Sequence, residues 1–227
     1  MSLPAQRVVR ARVVASLSRT TMEGLWLLPI LSIPHVFYFV LWTQPQFWLA
    51  VCKPLTEARA QRAGGTTEAY GNEACMCMSV TAHFIKALQF SSCIVWFMMY
   101  SPSSLTLAAV MAQPAWRLAL GVLGLLAGQS LNAGIYAAIG RNGVYYGNRF
   151  GAKLGPWVTG FPFNVPIASR HPQYTGVLLS IWGASSLVSD KSANDAGFLY
   201  IAGAWSAFYV FTSIIEQTET KERPKAS

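Results

Sequence analysis

The sequence predicts an all-α, polytopic integral-membrane helix bundle with four to five hydrophobic helices. Two observations carry this. Charged residues make up 11% of the 227-residue chain and hydrophobic types 53%, with a mean hydropathy of +0.35, whereas a soluble domain carries roughly 25% charged residues. The second is a series of long charge-free runs. The same apolar richness excludes disorder. The net charge of +8 suits an anionic lipid surface or phosphate; no basic stripe with nucleic-acid motif spacing accompanies it, so nucleic acid is not an expected partner.

The runs place the helices. Gly24–Thr43, Ala87–Trp116, Leu118–Gly140, Pro172–Ser189 and Ala196–Ile215 hold 20, 30, 23, 18 and 20 residues without Asp, Glu, Lys or Arg. About 20 helical residues cross the roughly 30 Å hydrocarbon layer, and one charge at a span centre costs about 2.5–3.5 kcal/mol on insertion scales. The expected helices are 24–43, 83–100, 117–140, 173–189 and 196–215. The first carries Pro29, Pro34 and His35, so it is expected to kink, or to dip in without crossing. The second ends before Ser101, Pro102, Ser103 and Ser104. The fourth and fifth form a hairpin across Asp190–Asp195. Gly64–Gly65 and the polar residues to Asn72 read as a loop.

Five crossings put 44–82, 141–172 and 216–227 on one face. That face holds ten Lys and Arg, against six on the other, so it is assigned to the cytosol. Residues 1–22 form a basic lead with four Arg and no acid, either an organelle presequence or a plain preface to the first span. Residues 23–220 are read as one domain and 221–227 as a polar tail. Cys52, Cys75, Cys77 and Cys93 contain no C-x-x-C spacing and are read as free thiols, with no metal expected.

Chemistry concentrates in 128–176. Glycines at 140, 143, 147, 151, 155 and 160 and prolines at 156, 162, 166 and 172 break up an aromatic segment, which therefore reads as a packed loop in which backbone can approach a ligand. Tyr145, Tyr146 and Trp157 serve either there or as interfacial anchors. Arg170 and His171 stand where Pro172 opens the fourth helix, a placement that attracts carboxylate or phosphate. Glu216 closes the fifth helix, where an acid opposes the dipole. It either meets a cationic or hydrogen-bond-donating partner or simply ends the span in water. The five-span arrangement puts it on the same face as Arg170 and His171.

These residues also resemble the phospholipid N-methyltransferases, most closely the plant-type members, and more distantly the isoprenylcysteine carboxyl methyltransferases. The matching pieces are Leu41-Trp42-Thr43-Gln44-Pro45-Gln46, His83-Phe84-Ile85-Lys86-Ala87, Gly128-Gln129 with Leu131-Asn132, Gly143-Val144-Tyr145-Tyr146-Gly147, Arg149-Phe150-Gly151, Pro156-Trp157-Val158-Thr159, Phe161-Pro162-Phe163, and Pro172-Gln173-Tyr174 with Gly176. The resemblance covers about residues 25–220. It implies S-adenosyl-L-methionine as methyl donor and a phospholipid amine as acceptor, with mono- and dimethylated phosphatidylethanolamine converted to phosphatidylcholine. It implies a multi-pass protein of the endoplasmic reticulum, the basic lead leaving a mitochondrial or other organelle membrane open. The family's G-x-G element maps onto Leu126-Ala127-Gly128, keeping its second glycine, and its Glu-Glu pair onto Glu216-Gln217, with Gln in second place. Resemblance to the wider superfamily adds His171, Pro172 and Tyr174 to the donor site; Tyr145, Tyr146 and Gly147 are further candidates for it, as is Arg170 for the donor carboxylate. Arg149 and Lys153, with Arg170, are candidates for the lipid phosphate, and His171 or Glu216 for accepting the amine proton. The competing readings are a methyltransferase for a prenylcysteine carboxylate and a membrane protein without enzymatic activity.

Overall fold

The computed structural model describes residues 23–156, 158–168 and 170–220, with side chains up to Glu216. The basic lead, the polar tail, Trp157 and the Gln217 side chain lie outside the described residues. Among the described residues, nine α-helices and a short 3-10 turn follow in order. They are α1 Leu27–Thr43, α2 Pro45–Arg62, α3 Thr67–Tyr100, the turn Pro102–Leu105, α4 Leu107–Met111, α5 Ala115–Val144, α6 Gly147–Phe150, α7 Pro172–Val188, α8 Lys191–Asp195 and α9 Phe198–Thr220. No strand occurs among the described residues.

Five of these, α1, α3, α5, α7 and α9, run the length of the bundle; four lie where charge-free runs mark them, and α3 shares only Ala87–Tyr100 with its run. By length and composition, α3, α5 and α9 each suffice to cross a membrane, and α1 joins them when taken with α2. With 17 residues, α7 is about 26 Å long at 1.5 Å per residue. The break in the first run falls at Gln44–Pro45 instead of at Pro34. Pro45 forces Gln44 out of the helical region, to φ −130° and ψ 60°, and α2 leaves at 100° to α1. The start of α1 meets the far end of the bundle, where Leu27 and Leu31 pack with Trp96 and Phe97. Its end reaches Tyr146 through Trp42.

Two expectations need correction. Residues 45–62, which carry Lys53, Glu57, Arg59 and Arg62, fall in none of the five expected hydrophobic helices. They form α2 because Trp48, Cys52, Thr56 and Ala60, four residues apart, make one buried stripe against α3, and Trp48 Nε1 donates to Ala74 O at 3.1 Å. The second spanning helix begins at Thr67, well before residue 83. Gly64 and Gly65 do turn the chain, but the Thr66 hydroxyl accepts from Ala69 N at 3.1 Å and Glu68 sits in the first turn, a start signal that ends the loop there.

Between helices in a bilayer, association rests on close packing and hydrogen bonds. The closest contact is the antiparallel pair α5 and α7. A Cβ on Gly128 would stand 2.5 Å from Gly176 O, and one on Gly183 would stand 2.9 Å from Gly121 O. At the far end, Arg117 donates to Ser189 O at 2.6 Å, and Ser101 donates to Asp190 at 2.7 Å. Asp190 in turn caps α8 by accepting from Ala193 N at 2.8 Å. On α9, the Thr212 hydroxyl donates to Phe208 O and so accepts from His35 Nδ1 of α1, at 3.0 Å.

Candidate active site

At the other end of the bundle, α5 breaks where the third charge-free run stops. Gly140 takes φ 63° and ψ −177° inside the helix, a conformation that glycine alone adopts freely. One more turn leads to Tyr146, the sole non-glycine residue with positive φ among those described, at 57°. That conformation costs a side-chain-bearing residue about 1–2 kcal/mol. It turns the buried Tyr146 hydroxyl onto Glu216. Tyr174, in the first turn of α7, reaches the same atom, so Glu216 Oε1 accepts from both hydroxyls. The connector, the start of α7 and the end of α9 are thus fastened at one carboxylate. The Arg149 guanidinium acts on it as well while lying 3.9 Å from the centre of the Trp42 ring.

These groups border a cavity of about 520 Å³, within the roughly 300–1,000 Å³ usual for small-molecule sites. Tyr145, Tyr146, Arg170, His171, Pro172, Tyr174 and Glu216 all line it. His171 holds the N-cap position of α7 and stacks on Tyr174, with ring centres 5.6 Å apart and planes 28° apart. Burial, and then the neighbouring Arg170 charge, hold its pKa below the ordinary 6.5. The imidazole is therefore neutral at pH 7 and has a lone pair for a proton. The Tyr136 and Tyr145 hydroxyls are joined at 2.6 Å.

Other residues singled out in the sequence stand elsewhere. Leu126 and Ala127 face outward from α5, and Gly128 is buried against Gly176 and Ser180 of α7; none of the three lines the cavity. Gly147 starts α6 beneath Tyr146, close against Asn142. Arg149 backs the wall through Trp42, and Lys153 is exposed, its carbonyl accepting from Asn142; neither side chain is part of the lining.

Sequence reasoning missed Tyr38 and Trp42 of α1, Lys86 of α3 and Tyr209 of α9, all of which line the cavity. The aromatics carried no signal that separates a wall from a core. Lys86 did: it is the one charged residue between Glu73 and Arg117, and a lone charge in an apolar span marks function by default.

The fold and this site define a helical membrane protein with an aromatic-walled cavity, set with a few polar and charged groups, at one end of its bundle. A sequence model of the family described as phospholipid methyltransferase matches residues 116–223, which take in α5, the connector, α7 and Glu216. The chain is also similar to the phosphatidyl-N-methylethanolamine N-methyltransferase of Arabidopsis thaliana, at 34% identity over 195 residues, covering 86% of this chain and 90% of that protein. The chain belongs to the phospholipid methyltransferase family, and it is an enzyme that transfers methyl groups. No solved structure matches it.

Proposed function

We propose that this protein uses S-adenosyl-L-methionine to methylate phosphatidyl-N-methylethanolamine and phosphatidyl-N,N-dimethylethanolamine, giving phosphatidylcholine. The observation that carries the proposal is the Glu216 carboxylate, held by two buried tyrosines in the wall of a cavity at one end of an apolar helix bundle. The acceptor is taken from the name of the Arabidopsis relative, which spans most of both chains. That name also disfavours a prenylcysteine carboxylate as acceptor. The domain that acts is residues 23–220. Its setting is the endoplasmic reticulum membrane, crossed several times, with the cavity on the cytosolic side.

The residues present fit the donor. Its cationic groups need a carboxylate and aromatic faces, which Glu216, Tyr145, Tyr146 and Tyr174 offer. Its carboxylate needs a cation, which Arg170 supplies. When bound, the donor supplies an electrophilic methyl group activated by sulfonium. Everything else is positioning and proton handling. Tyr146 and Tyr174 fix Glu216, so its carboxyl group is oriented before any ligand arrives, and such positioning is the main contribution of a site where two reactants must meet in line.

The acceptor amine reaches the site largely protonated. With a lysine-like pKa of about 10.4, freeing its lone pair at pH 7 costs about 4–5 kcal/mol. The partly dry cavity favours the neutral amine. His171, neutral and at the cavity wall, accepts the proton directly or through water.

The test is a microsomal assay with labelled donor and three acceptors: unmethylated, monomethylated and dimethylated phosphatidylethanolamine. Label is expected in the products of the two methylated acceptors. Label confined to the product of the unmethylated lipid, or none in any lipid, refutes the proposal.

A further inference from the structure

We infer that Lys86 is the residue that holds the phosphodiester of the lipid acceptor, from the membrane side of the cavity. This rests on the lipid-methylation reading and adds to it the group that recognises the substrate's anion. Lys86 lies 14 residues before the end of α3 at Tyr100, about 21 Å along the helix axis and so within a hydrocarbon layer of roughly 30 Å. From Ala87 to Tyr100 the helix carries no charge, and its neighbours Phe84 and Phe90 are exposed on the outside of the bundle.

A charge at that depth is costly unless something answers it. No described side chain does: Lys86 makes no hydrogen bond or ion pair among the described residues. It lines the cavity instead. Long helical side chains lean toward the helix N-terminus, here the end where the cavity lies. A lysine stem can thus stay in apolar surroundings while its ammonium reaches headgroup level.

Arg170 lies on the exposed connector, the approach of a ligand from water. Lys86 rises from within a span, the approach of a ligand held by acyl chains. The acceptor is a zwitterion whose phosphate sits a few bonds from its amine. Lys86 on one wall and Glu216 with His171 on others match the two ends of that headgroup, with the phosphate toward the bilayer.

The experiment uses the full chain in mixed micelles, with two acceptors of equal acyl chains. One is phosphatidyl-N,N-dimethylethanolamine, and the other is a diacyl dimethylaminoethyl lipid without phosphate. Wild type is expected to show a KM at least tenfold higher for the phosphate-free lipid. Lys86→Gln should raise the phospholipid KM tenfold or more, to the phosphate-free value, and Lys86→Arg should restore most of the difference. S-adenosylhomocysteine should bind Lys86→Gln within twofold of wild type.

Equal KM values for the two lipids in wild type overturn the inference, whatever the variants do. So does a Lys86→Gln protein whose phospholipid KM is unchanged, or whose loss appears in donor KM alone, which would assign Lys86 to the donor carboxylate. A wild-type protein that methylates neither lipid overturns the lipid-methylation reading itself, a distinct result.

Discussion

Replacing Glu216 by glutamine keeps the size of the side chain and removes its charge. In the structure one carboxylate oxygen accepts from Tyr146 and Tyr174 together. The glutamine carbonyl can still accept, but a charge-assisted bond contributes roughly 1.5–3 kcal/mol against about 0.5–1.5 for a neutral one. Two weakened bonds amount to about 2–3 kcal/mol, which a bundle fastened along five helices should survive. Loss of the charge toward a cationic ligand carries a similar 1.5–3 kcal/mol, or roughly a 10–150-fold rise in Kd. The assay is calorimetric titration of purified protein with S-adenosylmethionine and, separately, S-adenosylhomocysteine. Both ligands carry the amino group, and the sulfonium belongs to the first alone. An equal rise for both puts Glu216 on the amino group, and a rise confined to S-adenosylmethionine puts it at the sulfonium. Kd values within twofold of wild type for both ligands would refute the idea that this carboxylate is held in place for the donor.

The lowered His171 pKa has a definite sign: the neutral, proton-accepting form persists below pH 6.5, so the acidic limb of kcat/KM is expected under that value. Arg170→Gln removes one cause of the depression and should move the limb upward, toward 6.5; a limb that stays or moves down counts against His171 as proton acceptor. At the α5–α7 seam, a Cβ on Gly183 would meet Leu125 N at 2.8 Å and Gly121 O at 2.9 Å. Gly183→Ala should therefore cost about 1–3 kcal/mol, read as a lower Tm, with donor Kd within twofold. Gly128→Ala, which presses on Gly176 two residues from Tyr174, should weaken both. An impermeant amine reagent applied to sealed, oriented vesicles is expected to reach Lys153 and Lys191 from opposite sides; labelling of both from one side would contradict the five-traverse bundle.

Much of this architecture was legible in the chain. Hydrocarbon disfavours charge, so several limits of the charge-free runs fall near helix ends: Gly140 is where α5 leaves helical geometry, and Pro172 is where α7 begins; α3 departs from this, its run starting inside the helix, after Lys86. The count of traverses then put Arg170, His171 and Glu216 at one end of the bundle. The helix α2 was hidden because its charged residues mask a buried stripe that has meaning only against α3. The register of Leu126, Ala127 and Gly128 was hidden too, since which face of α5 meets α7 depends on where glycines on both helices coincide.

The sequence by itself determined that this is a bundle of apolar helices with its chemistry at one end, because partition between water and lipid acts on each segment separately. The tertiary structure alone decided which side chains share the cavity. Tyr38, Lys86, Tyr146, Tyr174 and Glu216 come from five different segments. Their meeting depends on helix rotation, on a left-handed turn at Tyr146 and on a 100° bend after Thr43, none of which any single stretch of chain encodes.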